Sequence, residues 1–136
     1  MKAASICALL FLCSVALGGC DSSGRATPDD AATHQDIAQG RNGAEVTFHA
    51  TMTSDPIESG GHERFTVTDP AGDRLEIDHN TTLAQPVPAH SGDELIIHGE
   101  LYVDPGPVYG VHCTHAHTSH GCPEAGWIEY RGNYYE

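Results

Sequence analysis

Apolar residues recur at every second position in residues 45–53, where Val46, Phe48, Ala50 and Met52 fall on one face of an extended chain and Thr47, His49 and Thr51 on the other. A period of two belongs to a strand with one face in a core and one in water, whereas the apolar stripe of a helix returns every third or fourth residue. The same alternation returns further on. Phe65 and Val67 point one way in residues 62–68, Asp69-Pro70-Ala71-Gly72-Asp73 has the composition of a turn, and Leu75 with Ile77 continue a second strand, which predicts a hairpin. Residues 80–91 contain Pro86 and Pro88 and read as a crossing loop, closed by the turn Ser91-Gly92-Asp93. Leu95, Ile97, Leu101 and Val103 then line a strand over residues 94–103, with Gly99 on the same face marking a bend or bulge where a small barrel closes. A further strand is predicted over residues 108–114, and Trp127 to Tyr130, Arg131-Gly132-Asn133 and Tyr134-Tyr135 form a last short hairpin. Five or six short strands and no helix longer than a turn predict an all-β chain, a small barrel or rolled sheet. Its expected core is Val46, Phe48, Phe65, Val67, Leu75, Ile77, Leu95, Ile97, Leu101 and Val103.

The first residues carry a different pattern. Lys2 precedes an apolar run over residues 6–17, too short for a permanent membrane helix and suited to an export signal. The run ends in Leu17-Gly18-Gly19-Cys20, which resembles the bacterial lipobox, where cleavage precedes a lipidated cysteine. That resemblance implies a signal peptide over residues 1–19 and a lipid bilayer as partner through Cys20; the alternative is an ordinary secretory leader with an incidental Cys20. Asp21 resembles the signal that retains a lipoprotein on the periplasmic face of the inner membrane in Gram-negative bacteria. Residues 20–43 hold Ser, Gly, Asp, Ala, Thr and Gln with almost no large apolar side chain, and are expected to form a flexible tether with at most a helical turn after Pro28. Residues 44–136 make the barrel domain.

The formal charge of the chain is −13, and after Cys20 the only Lys or Arg side chains are Arg25, Arg41, Arg64, Arg74 and Arg131. Such a surface repels polyphosphates and argues against nucleic-acid binding through a basic face, while it concentrates cations.

Residues 112–122 read HCTHAHTSHGC and hold four of the ten histidines and two of the five cysteines. Cys7 and Cys13 leave with the signal peptide and Cys20 is expected to carry lipid, so Cys113 and Cys122 remain. In an oxidising compartment they are expected to pair as a disulfide; the competing arrangement is a thiolate zinc site. Imidazole is the commonest metal ligand, and His112, His115 and His117 converging at a turn would suit Zn2+ or Cu2+. His62 and His79 are candidates to complete the set from neighbouring strands, with Glu63, Asp78 or Glu100 orienting ring nitrogens. His120 lies in the same run. His49, His90 and His98 read as ordinary histidines satisfied by backbone or water.

The order of short motifs, His62-Glu63-Arg64-Phe65, Asp78-His79-Asn80, Gly99-Glu100, His112-Cys113-Thr114-His115 and Gly126-Trp127, resembles a family of small exported bacterial proteins classed as a domain of unknown function. The family pattern is RHQ-F, AHN, GEY, HWTHHDP and GGW, and the likeness spans residues 45–135. It implies a compact five- or six-stranded barrel of the OB type and no known activity. His62, His79, His112 and His115 match residue by residue, and Arg64, Asp78, Asn80 and Glu100 fall within the same motifs as neighbours for a ligand. Cys113 stands where the family has Trp, Cys122 falls near a later family histidine, Ala116 replaces a histidine and His117 an aspartate.

Two functions of different class follow. One is a lipid-tethered periplasmic binding module that holds a transition metal or recognises a partner protein. The other is a metal-dependent hydrolase in which a bound ion activates water and Arg64 steadies an anionic substrate. The hydrolase lacks a carboxylate pair and any GxSxG or HExxH motif. A third reading, an OB-type face that binds single-stranded nucleic acid or an oligosaccharide, would use Tyr102, Tyr109 and Trp127 as stacking platforms, without the positive charge that nucleic acid needs.

Overall fold

A computed structural model describes residues 24–106 and 108–136. The segment expected to be a leader and lipobox, with Cys20, lies outside the described residues. The elements run α1 (Asp30–Ala38), β1 (Glu45–Met52), β2 (Ile57–Ser59), β3 (His62–Thr68), β4 (Arg74–Asn80), β5 (Glu94–Asp104), β6 (Val108–His112), β7 (Trp127–Tyr130) and β8 (Asn133–Tyr135). Five strands pair in the order β1-β3-β4-β6-β5, and β5 returns to β1 to close the barrel. Every pairing in the ring is antiparallel except β4 with β6, which is parallel. This is the OB-like arrangement, in which closure leaves no strand edge within the ring. Outside it, β2 folds back on β3, and the β7–β8 hairpin extends from β5.

The period of two governs burial. Val46, Phe48, Ala50 and Met52 are buried along β1, Phe65 and Val67 along β3, Leu75 and Ile77 along β4, and Leu95, Ile97 and Leu101 along β5. Val87, Ala89, Val111, Ile128 and Tyr130 join the same core. Val103 does not: it is half-buried opposite Tyr109 in the β5–β6 extension, past the point where β5 leaves β1. Gly99 faces the inside where β5 bends from β1 to β6, and a Cβ there would run into the carbonyl of His112 and lie 2.9 Å from Val111 Cγ1. Absence of a side chain at Gly99 is what lets the end of β6 approach.

The largest departure from the expected fold is α1, nine residues in the segment expected to be a tether with no more than a helical turn. Asp29 caps it by accepting from Ala32 N at 2.9 Å. Thr33 and Ile37, four residues apart and so on one face, are buried, and Ile37 belongs to the barrel core. The Asp30 carboxylate accepts from His49 N at 2.8 Å, which fastens the helix to β1. One apolar residue would not hold an isolated helix of this length in water; the tertiary contacts do.

Candidate functional site

Strand pairing assembles one barrel edge from the motifs. The start of β3 and the end of β4 pair His62 with Asn80, Glu63 with His79 and Arg64 with Asp78, and β5 sets Glu100 opposite His112 of β6. Alternation then divides these residues between the two faces of the sheet.

On the outer face, His62 Nδ1 lies 2.6 Å from Asp78 Oδ1, and Arg64 donates from Nε (3.2 Å) and Nη2 (3.1 Å) to Asp78 Oδ2. His112 Nε2 lies 3.2 Å from Glu100 Oε1, with the Tyr102 ring edge-on at 5.4 Å. Arg64, Glu76, Asp78, Tyr102, Asp104 and His112 line a shallow pocket of about 550 Å³. It holds one imidazole, and its arginine is engaged by Asp78, so neither three convergent histidines nor a disengaged cation is presented there. Across β5 from His112, Glu100 stands directly opposite Glu45 of β1. Like charges in that position repel. Partial desolvation and then Glu100 and Glu124 push the Glu45 carboxyl above its ordinary range.

On the inner face, Glu63 continues the row of Phe65 and Val67, and His79 the row of Leu75 and Ile77. His79 is fully buried, with Nδ1 2.8 Å from Thr114 Oγ1 and Nε2 3.0 Å from the Gln85 carbonyl. The carbonyl requires a proton on Nε2, so Nδ1 accepts from the threonine hydroxyl. Both ring nitrogens are thereby used, and burial lowers the pKa and keeps the ring neutral. Glu63 accepts from Val87 N at 2.7 Å, its carboxyl raised by burial and partly lowered again by that bond. His79 and Glu63 therefore anchor the loop carrying Pro86 and Pro88, which lack N–H groups for a ladder. Asn80 Oδ1 likewise accepts from Thr82 N (2.9 Å) and Oγ1 (2.6 Å) and shapes the start of that loop.

Beyond β6 the chain turns sharply at Cys113, which adopts a left-handed backbone with φ 54°. Cys113 and Cys122 form a disulfide. Inside the bridged loop Thr114 and His115 are buried, while His117 and His120 are exposed. Gly126 N donates to the His115 carbonyl at 2.9 Å, and a Cβ on Gly126 would collide with the carbonyl of Cys113. His115 Nε2 lies 3.8 Å from Cys122 Sγ, and its Nδ1 is buried without a hydrogen-bond partner. Burial lowers the pKa of His115, the backbone of His117 and of His115 itself partly offsets this, and the His117 and His112 rings disfavour its protonation further. A neutral ring with its proton on Nε2 carries an unshared pair on Nδ1. The His117 ring is 6.4 Å away, centroid to centroid.

Among the described residues two groups of three side chains bring possible metal-binding atoms within 4.8 Å of one another: Glu100, His112 and Cys113, and separately His34, Asp69 and Asp73. In the first, Cys113 is oxidised, which leaves Glu100 and His112. The second had no signal in the sequence, because His34 fell in the presumed tether and the aspartates read as turn residues. Thr114, the partner of His79, was equally silent, 35 positions away along the chain.

Trp127 is buried rather than displayed. It stacks on His98 at 5.6 Å and meets the Tyr134 ring edge at 5.2 Å. Tyr102 donates to Glu76 Oε1 at 3.0 Å, and Tyr109 packs against the core. Fold and site together define a small OB-like barrel with a disulfide-closed histidine loop on its rim. No family model matches the chain, and no curated protein sequence matches it.

Proposed function

We propose that this protein is a lipid-anchored binding module of the periplasm that holds a divalent transition metal, Zn2+ or Cu2+, at the histidine loop. The observation that carries this reading is the His115 imidazole: neutral, more than nine-tenths buried, and left with an unpartnered Nδ1 in a loop pinned by a disulfide. An unpaired buried acceptor costs on the order of 1–3 kcal/mol, and a coordinated cation removes that cost. His117, exposed beside it, supplies a second imidazole by rotation of its side chain. His112, held by Glu100, supplies a third ligand or a carboxylate-oriented neighbour. The opposed Glu45 and Glu100 carboxylates favour a positive ion on this rim. His62 and His79 serve the sheet and the crossing loop instead, through Asp78, Thr114 and Gln85. The hydrolase reading is the weaker one, since Arg64, the residue meant to steady an anionic substrate, is engaged by Asp78. The family of unknown function suggested by the motifs fits the same barrel and adds no activity.

Titration of Zn2+ and Cu2+ into tag-free full-length chain by calorimetry tests the metal. Binding with a Kd of about micromolar or tighter is expected at about pH 7.5, with steep weakening below about pH 6 as imidazoles take up protons. The His112→Ala, His115→Ala double variant should lose the loop ion and bind one equivalent fewer than wild type; equal binding by that variant would refute the reading. Membrane fractionation and intact mass of wild type beside Cys20→Ser test the anchor, and a wild type recovered soluble with an unmodified N-terminus rules it out.

A further inference from the structure

We propose that His34, Asp69 and Asp73 form a second metal site, which binds one divalent transition ion of the Zn2+ or Mn2+ type and clamps α1 to the turn between β3 and β4. Each residue offers one donor atom, and the three atoms lie within 4.8 Å of one another. His34 Nδ1 sits 2.5 Å from Asp73 Oδ2, so the helix already reaches the turn. The independent observation is Asp69, which is 5% exposed and has Oδ2 buried without any partner. Its Oδ1 is used, accepting from Asp73 N at 2.8 Å, and its backbone carbonyl accepts from Gly72 N at 3.0 Å. The turn is thus complete without Oδ2. The amides of Asp73, Gly72 and Ala71 all favour the ionised Asp69 carboxyl against its burial, yet Oδ2 itself makes no hydrogen bond and is buried beside a second carboxylate.

The ligand chemistry selects the ion. Ca2+ and Mg2+ favour sites made wholly of oxygen, and soft ions favour sulfur, whereas one imidazole with two carboxylates suits a borderline first-row ion with water in its remaining positions. The histidine loop and this turn sit at opposite ends of the β3–β4 hairpin, whose strands have seven residues each. That is about 23 Å, so the two sites act separately. The inference does not rest on the loop site.

Zn2+ is the probe, with Ca2+ beside it, added to tag-free full-length chain in detergent. In a His115→Ala, His117→Ala background, which removes the loop ion, one equivalent of Zn2+ should still bind and raise the thermal unfolding midpoint, and Ca2+ should do neither. Adding His34→Ala should weaken Zn2+ binding by at least roughly tenfold and abolish the shift. His34 is largely exposed on α1, so its loss spares the barrel, and Asp73→Asn should act in the same direction. A background variant that binds no Zn2+, or one in which His34→Ala and Asp73→Asn leave binding unchanged, overturns the site. Failure of the loop site alone would appear differently, as one Zn2+ in the wild type that His34→Ala removes and His115→Ala does not.

Discussion

Replacing Cys113 and Cys122 together by alanine should destabilise the domain by about 3 kcal/mol, and most of that loss should originate in the unfolded chain. The two residues are separated by 9 positions, so the bridge closes a loop of ten residues. Removing that constraint from the unfolded chain is worth about 2.7 kcal/mol at room temperature by loop entropy. Cys113 is also buried, at 3% exposure, and losing its sulfur leaves a small void worth a few tenths of a kcal/mol more, roughly. Urea unfolding of oxidised wild type and variant should show a lower midpoint together with a steeper dependence on urea, because the uncrosslinked chain exposes more surface. Thermal unfolding should fall by roughly 10–20 °C for a domain of this size. A left-handed backbone gives a second handle on the same position. Alanine at 113 keeps the strain of a φ of 54°, whereas Cys113→Gly, Cys122→Ala should recover up to about 1 kcal/mol of it. A total loss under about 1 kcal/mol, or a wild type whose midpoint is insensitive to reductant, would refute the reasoning.

Two further measurements test the core and the buried histidine. Leu95→Ala or Ile97→Ala should each cost about 2–5 kcal/mol, against less than about 1 kcal/mol for half-buried Val103→Ala, and equal losses in denaturant unfolding would contradict the assignment of the barrel interior. His79, whose folded pKa is lowered by burial, binds a proton more readily unfolded than folded, so its contribution is complete above about pH 6.5 and is lost as pH falls towards the folded value, by up to about 1.4 kcal/mol per pH unit. His98 and His115 shift in the same direction, and Glu63, raised by burial, acts with the opposite sign at lower pH, so the informative quantity is the difference from His79→Gln. That variant should lose about 1–3 kcal/mol at neutral pH and then show a shallower decline between about pH 7 and pH 5; parallel curves would mean that His79 is not held neutral.

The strands were legible because each buries one face, and a period of two survives in the sequence wherever that is so. The same period contained information about the polar residues. Glu63 is in phase with Phe65 and Val67, and His79 with Leu75 and Ile77, which places both inside and marks them as groups that must find partners there. Their partners were not legible: Thr114 and the backbone of Gln85 and Val87 come from segments without regular structure. The helix escaped for the opposite reason. Thr33 and Ile37 are too few to make a recognisable stripe, and the contacts that hold α1, from Asp30 to His49 and from His34 to Asp73, span 19 and 39 positions. The histidine run drew attention to the loop but did not tell which of its rings would be inside; the close passage of Gly126 against Cys113 decides that for His115.

Buried polarity gives the remaining step. Thr33, Glu63, His79 and Thr114 each have a buried side chain with a hydrogen-bond partner inside the domain. Among the described residues the exceptions are Asp69 Oδ2 and His115 Nδ1. A fold that satisfies groups as awkward as a buried Glu and a fully buried His leaves an orphan only where something outside the chain completes it, or where strain is tolerated. Asp69 Oδ2 is an acceptor and His115 Nδ1 is one when the ring proton sits on Nε2; His34 of α1 lies beside the first and His117 of the same loop beside the second, in a chain with formal charge −13. Missing donors in an anionic protein are most economically supplied by cations, and a single kind of ion satisfies a carboxylate oxygen and an imidazole nitrogen alike. At about 23 Å apart, the two sites should contribute additively, so the stabilisation by Zn2+ in the wild type should equal the sum of its effects in the two single-site backgrounds. A sum that departs from the wild-type value by more than about 0.5 kcal/mol would mean that the two ends of the hairpin do not bind independently, and the two-site reading would fail.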